Sequence, residues 1–118
     1  MRGDELLRVH GLAEPIFRLH GFDLFATFSM INERALGGVL TVAYDKDDPD
    51  EAARAMLCYR QLFDAVMQAG YVPYRVGLQS MAGLDSGGDS YWRVAARIKA
   101  ALDPQGLIAP GRYQPPPR

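Results

Sequence analysis

Tyr74 and Arg75 stand side by side directly after Pro73, and no other short stretch of the chain is as well equipped for chemistry. A phenolic hydroxyl can donate a hydrogen bond, a guanidinium carries a permanent positive charge, and proline fixes the backbone direction ahead of both. The pair therefore offers a donor and a cation at one place. On an alternating strand, neighbouring side chains face opposite ways, so both reach one pocket only if the backbone turns or the strand ends there. A purely structural role is the competing explanation.

Other candidate groups are better explained without chemistry. Gly83, Gly87 and Gly88 have neither the spacing of a dinucleotide fingerprint nor the Lys-Ser/Thr ending of a phosphate loop. Cys58 is the single cysteine and has no histidine at a local spacing that would activate it, so core filler is the expectation. His10 and His20 are isolated from each other and from any evident partner. Asp45, Asp47, Asp48, Asp50 and Glu51 form an acidic cluster without the ligand spacing or turn glycine of a calcium loop, and helix capping accounts for most of it. Two histidines and one cysteine make no local zinc set, so no metal is expected.

These residues need elements to position them. Leu6, Leu7, Leu12, Ala13, Ile16, Phe17 and Leu19 have mostly helical spacing over residues 4–20, with Gly21 as the stop. Pro15 predicts either a kink or a helix that begins near Leu12. Leu24, Ala26, Phe28 and Met30 alternate as one face of a strand. Residues 35–44 place Leu36, Leu40, Val42 and Tyr44 on one face of a second strand, with a slim opposite side at Gly37, Gly38, Val39, Thr41 and Ala43. The short link around Asn32-Glu33-Arg34 predicts an antiparallel hairpin.

Asp48-Pro49-Asp50-Glu51 is a helix start, with Asp48 as cap and Pro49 in the first helical position. Met56, Tyr59, Phe63 and Val66 or Met67 read as the apolar stripe of this helix, which ends at Gly70. Residues 71–78 read as a third strand, with Pro73 at its start or on an unpaired edge. After the loop of residues 83–88, Asp89 is a candidate cap for a last helix containing Trp92, Ala95, Ile98 and Leu102, ended by Asp103-Pro104. The tail from Pro110 to Pro117 is expected to be irregular or extended. The predicted architecture is a two-layer α+β sandwich, helices on one face of a small antiparallel sheet, like a ferredoxin-like unit that lacks a strand.

The 118 residues suit one ordinary globular core, with 48% hydrophobic and 23% charged residues. A net charge of -1 offers no positive excess for a nucleic-acid backbone, so nucleic acid is not an expected partner. The opening Met-Arg-Gly-Asp-Glu is not followed by the apolar stretch of a signal peptide, and no run approaches a membrane span. A cytoplasmic location and no membrane partner are the expectations.

Gly21-Phe22-Asp23 with Thr27-Phe28-Ser29-Met30, then Tyr44 to Pro49, then Gly70-Tyr71 to Tyr74-Arg75, and finally Ile98 to Arg112 are similar, in order and spacing, to the C-terminal region of the vanillyl-alcohol oxidase and p-cresol methylhydroxylase family. The similarity extends over nearly the whole chain. The last block resembles FAD-linked oxidases broadly, and Tyr74-Arg75 narrows it to the branch that oxidises phenols. The resemblance implies that Tyr74 and Arg75 hold the phenolic oxygen of a substrate, with Arg112 as a further basic residue of the same site. A free phenol has a pKa of about 10, so fixed charge and donors are needed to favour its anion near neutrality. The electron-rich phenolate would then release hydride from its para side-chain carbon to FAD.

The family's flavin-binding domain and covalent attachment segment have no counterpart in this sequence. The resemblance therefore implies a C-terminal portion of an FAD-dependent oxidoreductase acting on para-substituted phenols, which does not hold FAD or turn over alone. Its expected partners are an N-terminal FAD-binding domain or subunit, a phenolic small molecule, and a second copy in a homodimer. Within it, residues 1–88 would be a cap-like ferredoxin-like unit, and residues 89–118 a helix and tail closing on the flavin-binding domain. A stand-alone ferredoxin-like interaction domain derived from such an enzyme is the alternative.

Overall fold

The computed structural model describes residues 3–84 and 90–112, and the chain forms two compact units, Met1–Val72 and Pro73–Arg118. The expected boundary at residues 88 and 89, and the expected cap Asp89, lie outside the described residues.

In the first unit, helix α1 (Gly3–Leu19) leads into a hairpin of β1 (Phe25–Asn32) and β2 (Ala35–Thr41), and helix α2 (Pro49–Gln68) follows. Helix, two antiparallel strands, helix: these are the inner four elements of the six-element ferredoxin-like plan. The protein is thus a small α+β sandwich. Ala26 faces Leu40 and Met30 faces Leu36 across the hairpin, so Leu24, Ala26, Phe28, Leu36, Leu40 and Val42 share one side. At the base of that side, Leu24, Leu40 and Val42 pack against a core of Ala13, Ile16, Phe17, Phe22, Ala55, Cys58 and Leu62 from the two helices. Phe17 and Cys58 are the largest of its fully enclosed side chains. Burying a residue of Phe17's size contributes about 1.5–3 kcal/mol.

The helix ends follow from their sequences. Asp48 Oδ1 accepts from the backbone N–H groups of Asp50 (2.9 Å) and Glu51 (3.1 Å), with Pro49 in the first turn. Gly21 and Gly70 adopt φ of +75° and +85°, the left-handed conformation that lets Phe22 and Tyr71 N–H return to the Phe17 and Val66 carbonyls. Arg54 of α2 donates to the His20 carbonyl and lies 5.4 Å from the Phe22 ring centroid, fastening the exit of α1 to α2.

Four expectations change. Helix α1 runs unbroken from Gly3 through Pro15, because proline removes one backbone bond without preventing a helix whose other side is buried at Val9, Ala13, Ile16 and Phe17. The buried stripe of α2 is Ala55, Cys58 and Leu62, one residue back from the expected Met56, Tyr59 and Phe63. Small residues win that face because α1 approaches it closely, leaving the larger side chains on the flanks. β1 extends through Asn32 and the turn is confined to Glu33 and Arg34, with Asn32 Oδ1 accepting from Arg34 N–H at 2.9 Å. Tyr44 lies beyond the end of β2 and is exposed.

The third strand does not form. Residues 71–77 carry no ladder, and a 3-10 helix takes over at Leu78–Leu84. Pro73 lacks a donor and biases Val72 to extended backbone, which gives the alternation of a strand without its pairing. In the second unit, α3 (Ser90–Leu102) follows, and Trp92 Nε1 donates to the Leu84 carbonyl at 3.1 Å, tying the start of α3 to the end of the 3-10 helix.

Candidate functional site

The second unit contains all three residues singled out by the sequence. The chain bends at Tyr74 and Arg75 and then buries Val76, which fixes the bend from its C-terminal side. Arg75 Cζ consequently lies 5.7 Å from the centre of the Tyr74 ring. A strand would have sent these neighbours to opposite faces; the bend puts them on the same side. Both are exposed, Tyr74 to 73%, so the phenolic hydroxyl and the guanidinium are open to a ligand. Cation and ring attract one another weakly at such a site, by about 0.5–1 kcal/mol, which aligns the pair without consuming the donors of either.

Arg112 closes a turn in which its own N–H donates to the Ala109 carbonyl at 3.1 Å, and its side chain is exposed. Among the described residues, no hydrogen bond or ring contact joins Arg112 to Tyr74 or Arg75. A Cβ placed on Gly111 would stand 3.7 Å from Leu78 Cδ2, so the turn lies near the side chain of the residue three places after Arg75.

One residue of this unit does more than its sequence suggested. Asp103, expected only to stop the helix, has a buried carboxylate that accepts from Leu107 N–H and Ile108 N–H, each at 2.9 Å, and from the Lys99 ammonium. Lys99 also donates to the Ile108 carbonyl. The Lys99 hydrogen bond and the backbone N–H of Ile108 bring the Asp103 carboxyl down from its ordinary 3.8 to about 2, against an opposing cost of burial. A sequence signal existed. An aspartate at a helix C-terminus opposes the helix dipole, and its presence one turn after a lysine asks where its compensating donors are.

The residues set aside on sequence grounds have structural partners. Asp45 Oδ1 accepts from Asp47 N–H at 2.9 Å, so the acidic cluster is a turn followed by a cap. His20 Nε2 pairs with Gln61 Oε1 at 2.9 Å, and His10 lies 3.8 Å from Glu14. Cys58 is fully enclosed, and burial pushes its thiol pKa up. Among the described residues no group of His, Cys, Asp and Glu side chains could hold a metal ion, and no helix is long and apolar enough to cross a membrane.

The chain thus carries an α+β unit, an exposed Tyr-Arg pair and a turn anchored by a carboxylate. Known proteins carry related segments. The chain is 40% identical over 94 residues to the 1'-carboxy-chondrochloren decarboxylase of Chondromyces crocatus, covering 80% of this chain and 17% of that protein. It is 33% identical over 115 residues to the flavoprotein subunit of the hydroxylating 4-cresol dehydrogenase of Pseudomonas putida, covering 94% of this chain and 21% of that subunit. The chain is homologous to a segment of each and spans about a fifth of their length. No family model matches it.

The flavin that the second relative's name implies can be tested against the described residues. A pyrophosphate needs a helix N-terminus or a nest of free N–H groups. The N-terminus of α2 is already capped by Asp48 and flanked by Asp50 and Glu51, whose charges oppose a phosphate. The N-terminus of α2 does not fit that part of the cofactor.

Proposed function

We propose that this chain is the phenol-recognising portion of an FAD-dependent oxidoreductase acting on para-substituted phenols, with the flavin held by a separate N-terminal domain or subunit. Homology to the 4-cresol dehydrogenase flavoprotein subunit supports an FAD-linked oxidase family, and the observation that carries the substrate class is the Tyr74-Arg75 bend. A guanidinium stays protonated throughout the working pH range and stabilises a phenolate oxygen, while a tyrosine hydroxyl donates to it. Arg112 adds a second cation to the same anion. Redox chemistry belongs to the cofactor; this chain's part is to select and ionise the phenol.

The exposed apolar residues Val94, Ile98, Leu107 and Ile108 support a role as the surface that meets the flavin-binding part. The protein acts in the cytoplasm in this reading, and alone it is not catalytic.

A second reading is favoured by the 40% identity to a decarboxylase: the anion held by Arg75 and Arg112 is a carboxylate. Titration of the chain with a 4-alkylphenol and with the matching 4-alkylbenzoate, followed by NMR across a pH series, separates the two. The phenol reading requires binding of the phenol that strengthens as pH rises toward its pKa and is lost in Arg75→Ala. Binding of the benzoate alone, independent of pH above the carboxylate range, would replace it with the second.

A further inference from the structure

Between α3 and Arg112 the chain does not trail off; it is built into a bracket. Asp103 fixes Leu107 and Ile108 through their N–H groups, and Lys99 grips both the Asp103 carboxylate and the Ile108 carbonyl. The next residue, Ala109, has φ of +42°. This left-handed conformation is uncommon for a residue with a Cβ and persists only where neighbours over-determine it. Here Ile108 is held on one side, and on the other Arg112 N–H closes onto the Ala109 carbonyl. Gly111, also left-handed at +78°, lies near Leu78, whose Cδ2 would be 3.7 Å from a Cβ at that position. Hydrogen bonds thus hold the chain at Leu107 and Ile108, on one side of Ala109, and across the turn from Ala109 to Arg112 on the other.

We propose that Asp103, with Lys99, is a positioning residue for Arg112: the carboxylate sets the Ala109–Arg112 turn against Leu78 and so places the Arg112 guanidinium toward the bend that carries Tyr74 and Arg75. The phenol-binding consequence rests on the function proposed above, whereas the placement of the turn does not. An ordinary helix stop needs backbone N–H donors for its last carbonyls and no buried ion pair. Three donors converging on one enclosed carboxylate, followed by a left-handed alanine, are what a fixed exit direction requires.

The experiment compares the full chain with Asp103→Asn by NMR. Leu107 and Ile108 each use a different carboxylate oxygen, so an asparagine in the same place turns an NH2 donor toward one of them, and it loses the charge that holds Lys99. Expected are faster amide exchange at Leu107, Ile108 and Arg112, by roughly tenfold or more, and loss of the Gly111–Leu78 proximity signal. On addition of a 4-alkylphenol, the Arg112 guanidinium response should vanish while that of Arg75 persists. Release confined to Leu107 and Ile108, with Arg112 unchanged in exchange and in phenol response, would reduce Asp103 to a helix cap and overturn the proposal. If the unaltered chain shows no phenol response at either arginine, the functional reading fails, and the exchange and proximity data alone decide the positioning role. Should Asp103→Asn unfold α3, Lys99→Gln keeps both backbone bonds to the carboxylate; it must still loosen Arg112, and unchanged Arg112 exchange in it overturns the proposal equally.

Discussion

Asp103 gives up its proton more readily than an ordinary aspartate because Lys99 and two backbone N–H groups all favour the ionised form. The linkage follows in sign: a carboxyl whose folded value lies below its unfolded one stabilises the fold fully above the ordinary 3.8, and that contribution is lost as pH falls to and through about 2. Other carboxylates titrate in the same range, so the diagnostic quantity is a difference. Protection of the Leu107 and Ile108 amides, taken relative to intrinsic exchange at each pH, should fall as pH drops from the ordinary 3.8 to about 2 in the unaltered chain, and Asp103→Asn should flatten that dependence. A variant with the same pH profile as the parent would mean that Asp103 is not the titrating group. Of the candidate site, Tyr74 and Arg75 were legible because two unusual neighbours follow a proline. Their shared side was not legible, since residues 71–78 have a strand's composition and only the absence of a pairing partner lets the chain bend. Asp103 reads in the sequence only as a helix stop, one turn after Lys99, because its other partners, Leu107 and Ile108, contribute backbone groups that no residue type announces.

At the scale of elements, α2 decides how far pattern alone can be trusted. Counting apolar residues by size favours Met56, Tyr59 and Phe63, yet the face against α1 is Ala55, Cys58 and Leu62. Both sets have helical spacing, and the choice between them depends on how closely two helices approach, which is a property of the pair. The difference is measurable. Leu62, 7% exposed, should cost about 2–5 kcal/mol when changed to alanine. Met56, 42% exposed, should cost less than about 0.5 kcal/mol in the same exchange. Denaturant unfolding of the two variants decides it, and equal losses would contradict the observed face. Caps and stops were readable in advance because they depend on single residues: Asp48, Gly21 and Gly70 each do locally what their side chains, or the lack of one, allow.

For the whole molecule, the hairpin is the only sheet among the described residues, so β1 and β2 each have a neighbouring strand on one side. Free backbone donors and acceptors along such edges recruit another chain, and the account predicts a two-fold dimer of the isolated protein. Sedimentation over a range of concentrations checks this; a monomer throughout the micromolar range would contradict it. Calorimetric titration of the isolated chain with FAD should show no saturable binding, because the sequence carries neither a phosphate-cradling loop nor a covalent attachment segment, and the N-terminus of α2 is flanked by carboxylates. A stoichiometric complex would mean that a flavin site exists elsewhere in this chain. Whether Arg75 selects a phenolate for a flavin enzyme is decided by the catalytic efficiency toward a 4-alkylphenol of the flavin-loaded assembly containing this chain, with and without Arg75→Ala. The account predicts a loss of roughly 2–4 kcal/mol in transition-state stabilisation, only partly restored by Arg75→Lys, with unfolding unaffected. Unchanged efficiency in the alanine variant would remove Arg75 from the site.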